Sequence, residues 1–61
     1  MTSATELRAL AVRKRQTAAL ARRTGPALSA NADRILLLKH AEALEVEATA
    51  LDVRAEAIAA R

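Results

Sequence analysis

A chain of 61 residues with a formal net charge of +3, no cysteine, no aromatic residue and one histidine has room for one small domain. This composition excludes a disulfide scaffold and a metal site built from several histidines, and seventeen of the residues are alanines, each of which buries little area. Because such a core stabilises a lone chain weakly, we expect one domain, residues 1 to 61, that associates with itself.

The first segment, residues 4 to 24, has the pattern of an amphipathic helix. Ser3 and Thr5 are candidate N-caps, and Arg22 and Arg23 suit the negative end of the helix dipole. Small residues recur at every seventh position and predict a stripe that another helix can approach closely: Ala4, Ala11, Ala18 and Gly25. The predicted apolar face contains Leu7, Leu10, Ala11, Thr17, Ala18 and Ala21. Lys14 falls in the middle of this face, so it is expected either to snorkel to solvent or to lie at the rim.

The only glycine and the only proline are adjacent, at Gly25 and Pro26, and predict a turn over residues 25 to 29. Glycine is favoured just past a helix end because it tolerates a left-handed conformation, and proline cannot continue the helix that it follows. Ser29 and Asn31 are then rival N-caps for a second helix, and Asp33 suits its first turn.

The second helix is expected over residues 30 to 60, and it carries two apolar heptad seams. The first seam alternates large residues with alanine and predicts coiled-coil packing: Leu37, Ala41, Leu44, Ala48, Leu51, Ala55 and Ile58. The second seam lies roughly opposite and contains Leu36, Ala43, Val46, Ala50, Val53, Ala57 and Ala60. One partner helix cannot cover both seams. The sequence therefore predicts an all-α antiparallel hairpin that dimerises into a four-helix bundle.

Charge is segregated between the predicted helices, with a net charge of +5 over residues 1 to 34 and −2 over residues 35 to 61. An arginine row on the first helix consists of Arg8, Arg15 and Arg22, with Arg23 nearby. It can pair with an acidic strip formed by Glu42, Glu45, Asp52 and Glu56, or it can contact nucleic-acid phosphates. The supply of acids and the absence of an aromatic residue that could stack on a base favour the first interpretation.

No group of residues has the pattern of a catalytic, cofactor or metal site. His40 lacks the glutamate three positions earlier that helical-bundle metal sites use, since Leu37 stands there. We therefore expect no enzyme activity, no cofactor and no bound metal. No stretch approaches the roughly 18 apolar residues of a membrane span, and the first six residues lack the pattern of a secretory signal. These features predict a cytoplasmic protein with no membrane partner.

Two resemblances rest on these patterns. Residues 37 to 48 resemble the LLxLAxEYExxA pattern of small, uncharacterised alphaproteobacterial helical-hairpin proteins, and their LRxxAxxxRxxA first-helix pattern is similar to Leu7, Arg8, Ala11, Arg15 and Ala18. The first resemblance implies a hairpin and no established activity. In size, hairpin form and Ala/Leu layering, the chain is also similar to the Rop-like four-helix bundle, whose members bind paired RNA loops.

The expected function is that of a non-enzymatic structural or protein–protein interaction module. Its expected partner is a second copy of the chain, and a different protein is the next class of partner. The alternative is a small Rop-like regulator that binds RNA or DNA through the basic face of the first helix, with four candidate contacts: Arg8, Arg15, Arg22 and Arg23.

Overall fold

The computed structural model describes residues 2 to 61 as two helices joined by a short 3-10 turn. Helix α1 spans Ala4–Thr24, the 3-10 turn spans Gly25–Ala27 and helix α2 spans Asn31–Ala59. The described residues contain no strand, so the predicted all-α helical hairpin is confirmed. Helix α1 has the expected bounds, whereas α2 starts one residue later and ends one residue earlier than expected.

The start of α1 is defined by a capping box. The backbone N–H of Glu6 donates to Ser3 Oγ at 3.1 Å, and the backbone N–H of Ser3 donates to Glu6 Oε2 at 3.4 Å. Two backbone donors that the helix itself leaves without partners are satisfied in this way. Of the two candidate caps, Ser3 is therefore the N-cap, and Thr5 lies inside the first turn.

The turn differs from the sequence expectation in its backbone conformation. Gly25 has φ −50° and ψ −52°, so it continues the right-handed helical geometry of α1 and does not adopt a left-handed conformation. Pro26 lies in the first turn of the 3-10 segment, where its missing N–H costs no hydrogen bond. Gly25 is buried, and a Cβ built on it would lie 4.0 Å from Leu37 Cδ2. Gly25 therefore packs next to Leu37, the first residue of the first seam.

Helix α2 begins without the side-chain cap that was expected. The N-cap residue is Ala30, which has no hydroxyl or amide to offer, so the expectation that Ser29 or Asn31 caps the helix is wrong. The connection is held in another way, because Arg34 Nε donates a hydrogen bond to the carbonyl of Leu28. Asp33 lies in the first turn, where its charge favours the positive end of the helix dipole.

The core of the hairpin is a contact between two alanine-lined stripes. Four α1 residues are buried, namely Leu7, Ala11, Ala18 and Ala21, and they face Ala41, Ala48 and Ala55 of α2, each of which is completely buried. Leu37, Leu44 and Leu51 are half-buried along the edges of this contact. The molecule measures 48 × 15 × 13 Å, so it is one helix deep in one direction and has no second layer.

The buried face of α1 is narrower than its sequence pattern predicts. Thr17 is exposed, and its hydroxyl donates to the carbonyl of Arg13 at 3.1 Å, one turn earlier in the same helix. Leu10 is also exposed. A close approach of two alanine stripes explains both observations, because short side chains bring the helix axes together and leave the flanking residues outside the contact.

Candidate functional site

Ion pairs connect the two helices along one edge of the hairpin. Arg15 Nη2 lies 2.6 Å from Asp52 Oδ2, and Arg22 Nη2 lies 2.5 Å from Glu45 Oε1. The arginines are seven residues apart in one direction of the chain and the acids are seven apart in the other, as an antiparallel pairing requires. These two ion pairs, which form the charged edge of the hairpin, therefore share one register of the two helices.

Arg8 belongs to the same row but has no ion-pair partner among residues 2 to 61. One further heptad step of the register that pairs Arg15 with Asp52 places Arg8 opposite position 59, which is Ala59. Arg23 likewise has no ion pair within the described part of the chain. The structure therefore engages two of the four arginines named as candidate nucleic-acid contacts, and it leaves the other two in solvent.

The pair formed by Arg22 and Glu45 perturbs the ionisation of both groups. The hydrogen bond from Arg22 holds the pKa of the Glu45 carboxyl below its usual value of 4.5, and the same bond raises the pKa of the Arg22 guanidinium. The side chains are 43% and 41% exposed, so solvent screens the attraction. Ion pairs of this type orient helices more than they stabilise them.

A third ion pair lies on the opposite edge, where Lys14 Nζ donates to Glu47 Oε2 at 2.9 Å. Lys14 was expected either to snorkel from the apolar face or to lie at its rim, and its side chain is 34% exposed and reaches an acid of the other helix. This partner was not predicted from the sequence. The signal was available, since Glu47 directly precedes Ala48 of the first seam and therefore lies at the border of the helix contact.

The second seam of α2 faces away from α1 and is exposed along its length. Leu36, Val46 and Val53 are 65%, 70% and 61% exposed, and the alanines between them are exposed as well: Ala43, Ala50, Ala57 and Ala60. The two seams lie about half a turn apart around the helix, so one α1 covers only the first. Val46 and Val53, named with the packing residues from the sequence, thus have no contact with the core of the hairpin.

Further apolar side chains are exposed on both helices near the turn, at Leu20 of α1 and at Ile35 and Leu38 of α2. Their exposure was not predicted from the sequence. A shallow, open pocket lies near them, lined by Ala21, Arg22, Gly25, Pro26, Arg34 and Leu38. The charged residues in this lining are Arg22 and Arg34. The lining contains no carboxylate, histidine or nucleophilic side chain of the kind that catalytic sites use.

Residues 2 to 61 contain no group of three or more histidine, cysteine, aspartate or glutamate side chains placed to hold a metal ion. His40 is exposed on α2. Over the same residues, neither helix combines the length and the apolar character needed to cross a membrane. Comparison of the chain with protein-family models, curated proteins and solved structures gives no match.

Proposed function

We propose that the protein is a homo-oligomeric structural module, in which the second seam of α2 binds a second copy of the chain. The observation that carries the proposal is the exposure of Leu36, Val46 and Val53 on one continuous heptad strip. A strip of this kind is the usual mark of a helix that packs against another helix. The two copies of α2 would pack side by side at the centre of this dimer, with one α1 on the outer side of each, so that the four helices lie in a row.

The composition of the hairpin core supports the proposal. Within residues 2 to 61, six of the seven buried hydrophobic residues are alanines, and Leu7 is the only large one. Since the hydrophobic contribution to folding scales with the apolar area removed from water, this core stabilises the isolated hairpin weakly. Burying Val46, Val53 and the alanines between them adds apolar area that the first seam does not supply.

The distribution of charge argues against the Rop-like alternative. A protein that follows a phosphate backbone needs several unpaired cations in a row. Arg15 and Arg22 are each paired with an acid of α2, and Asp52 and Glu45 would repel a phosphate at the same positions. The arginine row is better explained as the part of the hairpin that determines how α1 and α2 align.

Sedimentation equilibrium over a wide range of concentrations tests the proposal. The parent chain should approach twice its 6.5 kDa mass. A Val46→Glu/Val53→Glu variant should stay a monomer, because two carboxylates would be buried in the interface. Val12→Glu, which changes an exposed α1 valine outside the seam, is the control and should dimerise like the parent. A parent that melts cooperatively yet remains monomeric at every concentration would overturn the proposal.

A further inference from the structure

We infer that the second copy lies antiparallel on α2, in a register that places residues 43 to 60 of one chain alongside residues 60 to 43 of its partner. The inference rests on the proposed function, because it specifies the geometry of the same dimer. Two independent features of the second seam determine it, namely the order of large and small residues and the placement of two opposite charges beside them.

The first feature is the alternation of valine and alanine. In the proposed register, Ala50 packs beside the partner's Val53, and Val46 packs beside the partner's Ala57. Every valine in the overlap therefore meets an alanine, which is how layers of unequal side chains fill a helix interface without voids. A parallel pair would instead place Val46 against the partner's Val46 and alanine against alanine, giving alternately crowded and empty layers.

The second feature is the charge beside the seam. Glu47 and Arg54 lie seven residues apart on the same side of the seam, and both are exposed. The two-fold axis of the proposed dimer brings Glu47 to the partner's Arg54 and repeats this pair symmetrically. Within residues 2 to 61 Arg54 has no ion pair, whereas Glu47 contacts Lys14 through one carboxylate oxygen and can accept from Arg54 through the other.

The competing arrangements place like charges together. A parallel pair brings Glu42 near the partner's Glu47. An antiparallel pair shifted by one heptad brings Glu47 to the partner's Glu47, and it also places Lys39 inside the seam, next to the partner's Ala57. In the proposed register Glu47 meets the partner's Arg54, so no like charges are paired there. Lys39 and Leu36 both lie outside the overlap of residues 43 to 60, so neither side chain enters the seam.

Cysteine cross-linking tests the register, since the chain contains no cysteine of its own. An equimolar mixture of Val46→Cys and Ala57→Cys chains, oxidised in solution, should form mainly the mixed 46–57 disulfide, while Ala57→Cys alone should form little. Predominant self-cross-linking of Ala57→Cys would show a parallel dimer. Predominant linking of Val46→Cys to Ala50→Cys would show the one-heptad shift. Either result overturns the inference while leaving the dimer itself in place.

A charge exchange gives a second readout that does not depend on disulfide geometry. Arg54→Glu should weaken dimerisation several-fold, because it places a glutamate beside the partner's Glu47 at both of the two symmetric sites. Adding Glu47→Arg should restore it, with helicity by circular dichroism showing whether the loss of the contact with Lys14 disturbs the hairpin. Arg13→Glu, on the outer side of α1, is the control. Unchanged dimerisation in Arg54→Glu would contradict the register, whereas a monomeric parent would overturn the proposed function itself.

Discussion

Arg22 and Glu45 form a two-point ion pair between the last turn of α1 and the middle of α2. Nε of Arg22 donates to Oε2 of Glu45 at 2.8 Å, and Nη2 donates to Oε1 at 2.5 Å. The planar guanidinium presents two parallel donors that match the two carboxylate oxygens, an arrangement that lysine cannot reproduce. The pair thus constrains both the distance and the rotation of α1 relative to α2.

This pair predicts a contribution of Glu45 to the pH dependence of stability. Because the folded-state pKa of Glu45 lies below its usual value of 4.5, the stabilisation is present above that value and is lost as the pH falls through the lowered pKa. Glu45→Gln should therefore lower the urea midpoint near neutral pH and have little effect in acid. Glu56→Gln, which removes an acid with no ion pair among the described residues, is the control. A difference between parent and Glu45→Gln that stays the same across the titration would contradict the prediction.

The completely buried alanine at the middle of the first seam predicts a steric effect. Ala48 has no exposed surface, and it lies between Ala41 and Ala55 in the buried alanine stripe of α2. Ala48→Leu should destabilise the hairpin by about 1 to 3 kcal/mol, because the added atoms force the helices apart, or it should change the oligomeric state. Ala9→Leu adds the same volume at an exposed position of α1 and should alter the free energy of unfolding by less than about 0.5 kcal/mol. Equal effects of the two substitutions on chemical unfolding would show that Ala48 does not lie in a tight contact.

The fold could be predicted from the sequence where the signals were periodic. Ala41, Ala48 and Ala55 repeat at exact heptad spacing, and an alanine-lined contact leaves few ways to place a second helix. The details that could not be predicted depend on individual side-chain contacts, such as the one at the start of α2. Ser29 and Asn31 both have suitable side chains for an N-cap, yet the chain enters α2 at Ala30, where Arg34 holds the preceding carbonyl of Leu28. Such a contact has no pattern in the sequence.

The proline after Gly25 predicts that this glycine is not freely replaceable. Gly25 has φ −50° and ψ −52°, and a side chain is disfavoured in this right-handed region before proline because its Cβ crowds the proline ring. Gly25→Ala should therefore destabilise the hairpin by about 1 kcal/mol, even though the added Cβ would be 4.0 Å from Leu37 Cδ2. Chemical unfolding at a fixed protein concentration measures the change. An unchanged or increased stability would show that alanine is accommodated before Pro26.

The solvent-exposed Arg8 predicts an ion pair that can be introduced. The register of the charged edge places Arg8 opposite Ala59, so Ala59→Glu should give this arginine the partner that Arg15 and Arg22 already have. A glutamate in the last turn of a helix opposes the helix dipole, so the single substitution does not isolate the pair. A double-mutant cycle with Arg8→Gln does, and it should give a favourable coupling of about 0.2 to 1 kcal/mol that decreases with salt. Zero coupling at low salt would show that the register does not extend to this end of the hairpin.

The arginine row also separates the structural interpretation from nucleic-acid binding. If the row aligns the hairpin, a variant with Arg8, Arg15 and Arg22 all replaced by glutamine should be modestly less stable, and the difference should shrink as salt rises. Binding of structured RNA should be negligible for the parent and for the variant. Arg13→Gln, which removes a cation outside the row, is the control and should melt like the parent. A nucleic-acid surface would behave differently, because each cation that contacts a phosphate adds about one to the slope of log K against log salt. Tight, salt-steep binding of RNA by the parent, lost in the triple variant while its melting temperature stays unchanged, would show that the row contacts phosphates and does not serve to align the helices.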